Sequence, residues 1–393
     1  MRPSVPGDPG LPGVFPNREQ SLVLHAAIDS GDDALHAYQE WRASFDIAQE
    51  FDRHVFRLIP LLYDNLRHLG HHDALTGRLK GAYRLSWAKN QRLFEDTRPI
   101  LGRFIGAGLR VMAIKGAALA LEYYGNVAVR PMSDLDLVVP AAQAETAAAI
   151  LLELGYDPWR ALDSDVKRFR HAVRFTAPGP KEMDLHWHML FDLPDEKLDE
   201  EFWATARPFR FLDHDIVTPD STRALLHTIL HGLRWNEEPP IRWIPDAMMI
   251  LRRDARTIDW AWLVSFAERR CIAHRLHLGL AYLAGSFAAP IPQHVLSRLS
   301  GIALSWVERL ENHTVLRPVR YESALGPILE ALTEFPRLRA DGSAAGIATT
   351  FLHFLRYHWG LRGRRDIPRY LLRGMLNRAR RAAGLPERSD FAT

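Results

Sequence analysis

The sequence contains almost no cysteine: Cys271 is the single cysteine among 393 residues. One thiol cannot form an internal disulfide, and it excludes a zinc site built from several cysteines. The sequence also lacks any uncharged apolar run near the roughly 20 residues that a membrane-spanning helix needs. Its opening segment, MRPSVPGDPGLPGVFP, has no apolar stretch typical of a signal peptide. These absences predict a cytoplasmic protein without disulfides and without a membrane span.

The chain as a whole carries little excess charge of either sign, with a formal net charge of +3. It is therefore not a strongly basic protein of the kind that binds nucleic acids through overall charge. About half of its residues are apolar, and the 18 Phe and 11 Trp argue against disorder. Composition thus indicates a folded protein that is long enough for two or three packed units.

Hydrophobic periodicity divides the chain into five predicted segments. Apolar residues at three-to-four spacing indicate helices from about Arg18 to Gly108 and again after Pro219. Between them, LRVMAI and LDLVV indicate buried strands, each followed by a helix, and RFRHAVRFT and KEMDLHWHM flank a turn, as in a β-hairpin. FRFLDHDIV adds one further strand. The predicted segments are a flexible arm (1–17), a helical region (18–99), a core with strands (100–218), a helical domain (219–355) and a basic arm (356–393).

Acidic residues lie on one face of two of these strands. Side chains alternate along a strand, so in EMDLHWHM the residues Met183, Leu185 and Trp187 face one side. Asp184 and His186 then face the other side.

On the LDLVV strand, Asp134 and Asp136 point the same way as each other. If the two strands are neighbours, three carboxylates converge with Asp184, and they could not all stay ionised without a cation between them. Mg²⁺ prefers such hard oxygen ligands and shares its coordination with substrate phosphates. The pattern therefore predicts a magnesium or manganese site that serves a nucleoside triphosphate.

Lys115 and Gly116 end the first predicted strand and begin a short helix. A glycine lets the backbone approach a phosphate closely, and free N–H groups at a helix start favour an anion. Lys115 adds a positive point charge beside it. We expect these two residues to bind the triphosphate.

The order of these motifs resembles the bacterial nucleotidyltransferase family of the DNA polymerase β-like superfamily. The motifs are lysine-glycine, a short helix, Arg130, Asp-x-Asp-Leu, a helix and Asp-Leu-His-Trp. The resemblance extends from about Ser21 to Arg378, through WAKNQRLFEDTRPILGRFIGAGLRVMAIKG, LLHTILHGLRW, IRWIPDAMMIL and RDIPRYLLRGML. The superfamily more often has Gly-Ser where this chain has Lys115-Gly116, so the usual serine role is unfilled.

The resemblance implies an α+β fold, in which a small polymerase β-like core with a mixed sheet lies between helical regions. It implies that Asp134 and Asp136 hold both metal ions, and that Asp184 completes the catalytic one and helps to deprotonate the acceptor. We expect Arg130 to contact the triphosphate or to orient the Asp pair, and His186 to contact substrate, ligand or metal.

The implied reaction transfers a nucleotidyl group from ATP or another triphosphate to a hydroxyl-type acceptor. A peptide, a small molecule or an RNA could be the acceptor. Two alternatives stay open: a kinase that attacks the γ-phosphate, acting in peptide natural-product modification, and a binding module without catalysis.

Three other features give weaker signals. His227 and His231 share a helix face at i, i+4 but have no third metal ligand, so a packed histidine pair is the better interpretation. Cys271 has no partner base and is interpreted as an inert thiol. Residues 356–388 contain ten arginines and two acids, and we favour a structural role for this basic arm over nucleic-acid binding.

Overall fold

The computed structural model describes residues 13–45, 51–179, 181–191, 193–234, 240–314 and 344–382, with 316, 328, 331–332 and 335. They belong to two compact units, 1–304 and 305–393. The first unit contains a seven-stranded mixed sheet with many helices, so the predicted α+β fold is confirmed. The boundaries of the five predicted segments stay a prediction.

Five helices precede the sheet. Helices α1 to α5 span Arg18–Ile28, Gly31–Ser44, Arg53–Phe56, Ile59–His68 and Thr76–Gly106. The first begins in a capping box, in which the Asn17 side chain accepts from the Gln20 N–H while Gln20 accepts from the Asn17 N–H. The predicted helical character of this region is confirmed.

The strands and the helices between them form the core of the first unit. Strands β1 to β7 span Met112–Ile114, Leu135–Val138, Asp157–Pro158, Ala172–Ala177, Lys181–His186, Arg207–Phe211 and His214–Thr218. Helices α6 to α9 span Lys115–Leu119, Ala144–Glu153, Ser164–Phe169 and Glu196–Ala204. A wider π turn, Ala120–Tyr124, continues α6, and short 3₁₀ turns occupy Val127–Val129 and Ala141–Gln143.

Helices α10 to α14 follow at Ser221–Gly232, Trp243–Asp254, Trp260–Arg269, Ala273–Phe287 and Gln293–Gly301. Aspartates cap several helices: Asp220 accepts from the Arg223 N–H at the start of α10, and Asp259 accepts from the Trp262 N–H in α12. The helical prediction after Pro219 is therefore confirmed for this part of the chain.

The strand order in the sheet is β3-β4-β5-β2-β1-β7-β6. Strand β2 lies in the centre, parallel to β5 and antiparallel to β1. Leu135 and Leu137 of β2 are 1% and 0% exposed, and Phe94 of α5 packs edge-on against Phe211 of β6 with ring centroids 5.0 Å apart. Long apolar residues thus bury the centre of the sheet, as the run LDLVV predicts.

The run FRFLDHDIV was predicted to form one strand, and the structure differs there. It forms two antiparallel strands, β6 and β7, joined at Leu212 and Asp213. Both residues have positive φ, 49° and 68°, the combination that a two-residue hairpin turn requires. Because neither is glycine and neither matches the usual Asn-Gly signal, sequence patterns did not indicate this turn.

A second difference concerns the run RFRHAVRFT, which was predicted to be one strand. Its first residues, Arg168 and Phe169, close helix α8, and strand β4 begins at Ala172. Asp163 caps this helix by accepting from the Val166 N–H, and that bond favours a helical turn here. The hairpin of β4 and β5 is confirmed as antiparallel.

In the second unit, the described helices are α15 (Trp306–Thr314), α16 (Ala344–His358) and α17 (Asp366–Ala382). Much of the predicted basic arm is therefore helical, and Arg388 lies outside the described residues. In the described part of the chain, no helix combines the length and apolar character that crossing a membrane requires.

Two adjacent leucines of α7 test how this helix packs on the sheet. Leu151 is 0% exposed and Leu152 is 53% exposed. We expect Leu151→Ala to lower the free energy of unfolding by about 2–5 kcal/mol, because a buried leucine is lost and a cavity remains. Chemical denaturation of both variants measures the difference. Leu152→Ala is the matched control and should change stability by less than about 0.5 kcal/mol. Equal losses in the two variants would contradict the packing described for α7.

Candidate functional site

Two acidic residues face each other on the central strands of the sheet. Asp136 of β2 and Asp184 of β5 are register partners across a parallel strand pair. The expectation that these strands are neighbours is confirmed. Because register partners point to the same face, the two carboxylates lie side by side. Met183, Leu185 and Trp187 are at most 1% exposed, as predicted for the apolar positions of this segment.

Asp136 is buried, at 5% exposure, and has two polar partners. Its Oδ1 accepts from the Lys115 Nζ at 2.8 Å and lies 3.0 Å from the His186 Nε2. Burial alone would raise the Asp136 pKa, but Lys115 and His186 together hold that pKa well below its ordinary value. Asp136 is therefore ionised at neutral pH although it lies inside the protein.

Lys115 reaches Asp136 because of where strand β1 ends. Ile114, the last residue of β1, is the register partner of Asp136, and Lys115 follows it directly. Lys115 has φ +49°, a left-handed conformation that is uncommon for a residue with a side chain. Backbone geometry of this kind at a side chain that contacts a buried carboxylate is often found at functional sites.

Gly116 is buried and lies tightly against Met132. A Cβ at Gly116 would come within 3.0 Å of the Met132 Sδ and 3.6 Å of the Arg130 Nη1. The glycine therefore lets the start of α6 approach the loop that leads into Asp134 and Asp136. This close approach is a packing requirement in addition to the phosphate contact predicted from sequence.

Asp184 and Asp134 share one arginine of the neighbouring strand. The Arg174 Nε donates to the Asp184 Oδ1 at 3.2 Å, and its Nη2 lies 3.8 Å from the Asp134 Oδ2. Asp134 precedes β2, and burial together with repulsion from Asp136 and Asp184 raises its pKa. Lys115 and Arg174 thus supply positive charge that the sequence-based argument assigned to a metal ion alone.

The ligand atoms of Asp136, Asp184 and His186 all lie within 4.8 Å of one another. Burial and the charge of Lys115 lower the His186 pKa, so its imidazole is neutral at pH 7 and free to act as a ligand. Within the described residues, the buried His186 Nδ1 has no hydrogen-bond partner. Two carboxylates and one neutral imidazole, whose Nδ1 has no partner among the described residues, form a donor set that fits a divalent cation.

This group differs in one member from the predicted set of Asp134, Asp136 and Asp184. His186 takes the third place, and Asp134 lies beside the group, connected to Asp184 by Arg174. His186 occupies its place because it follows Asp184 by two residues on β5 and so points to the same face.

Asn90 holds the loop that precedes the acids. Its fully buried amide donates to the backbone oxygens of Val127 and Arg130 at 2.6 and 3.0 Å, and accepts from the Met132 N–H at 3.0 Å. One side chain of helix α5 thus satisfies three backbone groups of an irregular buried segment. The loop reaches β2 in a defined conformation because of these bonds.

Arg130 lies in a buried ion pair with Asp246 of helix α11. Its Nε and Nη2 donate to the two carboxylate oxygens, both at 2.8 Å, and the two side chains are 4% and 6% exposed. Tyr124 also donates to Asp246 at 2.8 Å, and Arg242 donates to the Pro131 oxygen at 2.8 Å. The residues around the Asp-x-Asp motif are thus tied to the helices that follow the sheet.

Sequence patterns missed Arg174, Asn90, Asp246 and Arg242. A signal existed only for Arg174: counting outward from Gly179 in the hairpin turn pairs residue 174 with residue 184, as the structure has it. The other three come from distant helices or loops, and periodicity does not indicate such contacts.

The His227–His231 pair is packed, in agreement with the preferred interpretation, and His188 is buried as well. The His227 and His231 rings are parallel within 15°, with centroids 5.8 Å apart. Burial and the nearby charge of Lys115 lower the His227 pKa to about 3. The His188 Nδ1 lies 2.6 Å from the Asp199 Oδ2 in the interior.

A family described as "Uncharacterised nucleotidyltransferase" matches this chain over residues 46–288, more than half of its length. Comparison with curated proteins gives no match. Among solved structures, the chain is similar to the crystal structure of an antigenic nucleotidyltransferase-like protein from Paracoccidioides brasiliensis. That similarity has 12% identity and a TM-score of 0.34, over 55% of this chain and 96% of the other. A TM-score of 0.34 does not establish a shared fold, so the family match is the informative finding.

The Arg130–Asp246 pair makes a testable contribution to stability. We expect Asp246→Ala to lower the free energy of unfolding by about 3–5 kcal/mol, because it leaves the Arg130 guanidinium buried and unpaired. Urea denaturation measures the loss. Asp215→Ala removes the exposed partner of Arg210 (61% and 86% exposed) and should cost no more than about 1 kcal/mol. If Asp246→Ala costs no more than this control, the buried pair is not a structural anchor.

Proposed function

Since the chain belongs to the uncharacterised nucleotidyltransferase family and is thereby a transferase, we propose that it catalyses a Mg²⁺-dependent transfer from ATP or another nucleoside triphosphate. The transferred group is a nucleotidyl group, and the acceptor is a hydroxyl of a peptide or a small molecule. The family membership supports nucleotidyl transfer in general. The metal, the donor and the acceptor class are the parts that we add.

One observation carries the proposal: Asp136 and Asp184 are register partners on parallel strands, with His186 close to both. Two neighbouring acids on a central strand pair repel each other and are costly to bury, so they are weak contributors to folding stability. A cation bound between the two carboxylates during function would explain why both acids occupy these adjacent positions. The donor set described above fits such an ion.

Asp136, Asp184 and His186 would hold a magnesium or manganese ion, and Asp134 would complete the set on the side of the loop. A bound divalent cation polarises phosphate oxygens and neutralises the charge on the leaving group. Asp136 is ionised and oriented by two fixed neighbours, so it presents its second oxygen in a defined direction. Asp184 is more exposed than its register partner Asp136, with 21% of its side chain accessible against 8%, and we assign it the deprotonation of the acceptor hydroxyl.

Lys115 and Gly116 would bind the triphosphate. The Lys115 ammonium neutralises Asp136 in the structure, and a lysine has a flexible stem that can turn toward a phosphate when a metal ion takes over that neutralisation. Arg174 stands in the same relation to Asp134 and Asp184, with half of its side chain accessible. Lys115 and Arg174 are thus both placed to neutralise the negative charge of a bound polyphosphate.

Arg130 is assigned an orienting role. Its Nε and Nη2 both donate to Asp246, and its backbone oxygen accepts from Asn90. Of the two roles expected from sequence, orientation of the Asp pair is the one these contacts support. His186 orients Asp136 through the contact at 3.0 Å, in addition to its place in the donor set.

The function is tested with ATP labelled at the α- or the γ-phosphate, incubated with the protein, Mg²⁺ and a lysate or candidate peptides. Movement of the α label is the expected result, since nucleotidyl transfer releases pyrophosphate. Movement of the γ label would make the enzyme a kinase. If neither label moves and ATP binds equally well with and without Mg²⁺, the chain is a binding module and the proposal is wrong.

Removing either central acid should nearly abolish the transfer. We expect Asp136→Asn and Asp184→Asn to lower the rate about a hundredfold or more while the protein stays folded, because each change removes a charged oxygen ligand from the proposed ion. The rate of label transfer and the melting temperature of each variant are measured together. Asp215→Asn, on strand β7 and 86% exposed in its side chain, is the control and should keep full activity. An active Asp184→Asn variant would exclude that residue from catalysis.

Lys115→Ala tests the triphosphate contact. A charged hydrogen bond contributes about 1.5–3 kcal/mol, so we expect the affinity for Mg²⁺-ATP to fall about ten- to hundredfold. In EDTA the variant should also have a lower melting temperature than the wild type, because Asp136 keeps only His186 as a partner. Added Mg²⁺ should reduce this difference in melting temperature. Calorimetric titration and thermal melts measure the two effects.

Lys89→Ala removes an exposed lysine of helix α5 and is the control for the change in net charge. It should change neither the ATP affinity nor the melting temperature. Unchanged ATP affinity in Lys115→Ala would remove Lys115 from the triphosphate site.

A further inference from the structure

A pocket of about 140 Å³ opens next to Lys115. Its walls come from five separate parts of the first unit: α3 with the residue that follows it, α6, the loop before β2, the last turns of α10, and the start of α11 with the residues just before it. The lining residues that matter below are His54, Arg57, Lys115, Arg130, Arg242 and Asp246. The pocket therefore adjoins the metal-ligand group through Lys115 but is built from different residues.

The charge of the described lining residues is strongly unbalanced. Four are permanent cations, Arg57, Lys115, Arg130 and Arg242, and Asp246 is the one acid. Lys115 is engaged by Asp136, and Arg130 is engaged by Asp246. His227 also lines the pocket but is neutral at physiological pH, because burial lowers its pKa to about 3.

Arg57 and Arg242 remain without an ion pair among the described residues. Arg242 donates one hydrogen bond, to the backbone oxygen of Pro131 at 2.8 Å. Burial and repulsion from Arg130 lower the Arg242 pKa to about 10, and burial and repulsion from Arg53 lower the Arg57 pKa. Both guanidinium groups thus lie at the wall of the pocket without a carboxylate partner among the described residues.

We propose that this pocket binds a phosphate-type anion, held by the guanidinium groups of Arg57 and Arg242 with Lys115 at its inner end. An anion would supply the negative charge that the described lining residues lack.

The dimensions and the donors fit this ligand class. Roughly 10–15 Å³ of such volume holds one water molecule, so the pocket has room for a phosphate or a diphosphate group. A guanidinium presents a planar fork of N–H donors that matches two oxygens of one phosphate. A neutral or cationic ligand would leave both arginines uncompensated.

The anion has two sources that share this chemistry. It is either the terminal phosphates of the donor triphosphate or an anionic group carried by the acceptor. Only the choice between these sources rests on the proposed function. The binding of an anion to the pocket is a property of Arg57 and Arg242 and is measured without any transfer reaction.

The test is a calorimetric titration of the full chain with inorganic pyrophosphate in EDTA, at low ionic strength. Removing divalent metal ions keeps the carboxylate group from binding pyrophosphate through a bound ion. We expect measurable binding, and we expect Arg57→Gln to weaken it about ten- to hundredfold, since one charged hydrogen-bond donor is lost. Arg57 has no ion pair to break among the described residues, so this variant should keep the wild-type melting temperature.

Arg84→Gln, an exposed arginine on helix α5 outside the pocket, is the matched control. It changes the net charge equally and should bind pyrophosphate like the wild type. Pyrophosphate should also raise the melting temperature of the wild type and of Arg84→Gln more than that of Arg57→Gln. No binding to the wild type, or equal weakening in Arg84→Gln and Arg57→Gln, overturns the proposal.

Titrations with ATP and AMP in EDTA distinguish the two sources. If the pocket takes the donor triphosphate, Arg57→Gln weakens ATP binding and leaves AMP binding unchanged. If it takes the acceptor, Arg57→Gln leaves ATP binding unchanged and raises the acceptor concentration needed for half-maximal transfer. A protein that transfers no label but binds pyrophosphate through Arg57 would contradict the proposed function and support the pocket.

Discussion

The burial of one charged carboxylate, that of Asp136 on the central strand β2, constrains much of the structure around it. An ionised group in the interior is costly unless it is paired and hydrogen-bonded. Lys115 and His186 meet that requirement from the two neighbouring strands, at 2.8 and 3.0 Å. Lys115 makes its contact from a left-handed backbone, with φ +49°, and His186 makes its contact from the end of β5, two residues after Asp184. The same arrangement brings Asp184 beside Asp136 and creates the donor set for a divalent cation.

A second layer of contacts fixes the loop that enters β2. Asn90 binds three backbone groups of this loop, Arg242 binds a fourth, and the Arg130–Asp246 pair joins it to helix α11. These contacts come from helices before and after the sheet, so the helical parts of the first unit hold the acids in position. A shift of one of these helices would therefore move the loop and the carboxylates that follow it.

Lys115 connects the two halves of the site. Its ammonium neutralises Asp136 and also forms the inner end of the cationic pocket. In the proposed reaction, negative charge arrives with the triphosphate and positive charge with the metal ion, and a lysine between the two can change partners without becoming unpaired. Arg174 stands in a similar position between Asp134 and Asp184. The protein thus keeps its acids compensated before the ligands bind.

The sequence by itself determined the hairpin of β4 and β5 and the shared face of Asp184 and His186, because these depend on local periodicity and turn residues. The α+β class came from the resemblance of its motifs to a known family. The sequence did not indicate the hairpin at Leu212 and Asp213, whose positive φ angles occur in residues that carry no turn signal. Only the tertiary structure decided that Arg174 bridges two acids, that Asp246 engages Arg130, and that two arginines face an open pocket. Each of these contacts except that of Arg174 with Asp184 joins residues far apart in the chain, and packing of the whole unit brings them together.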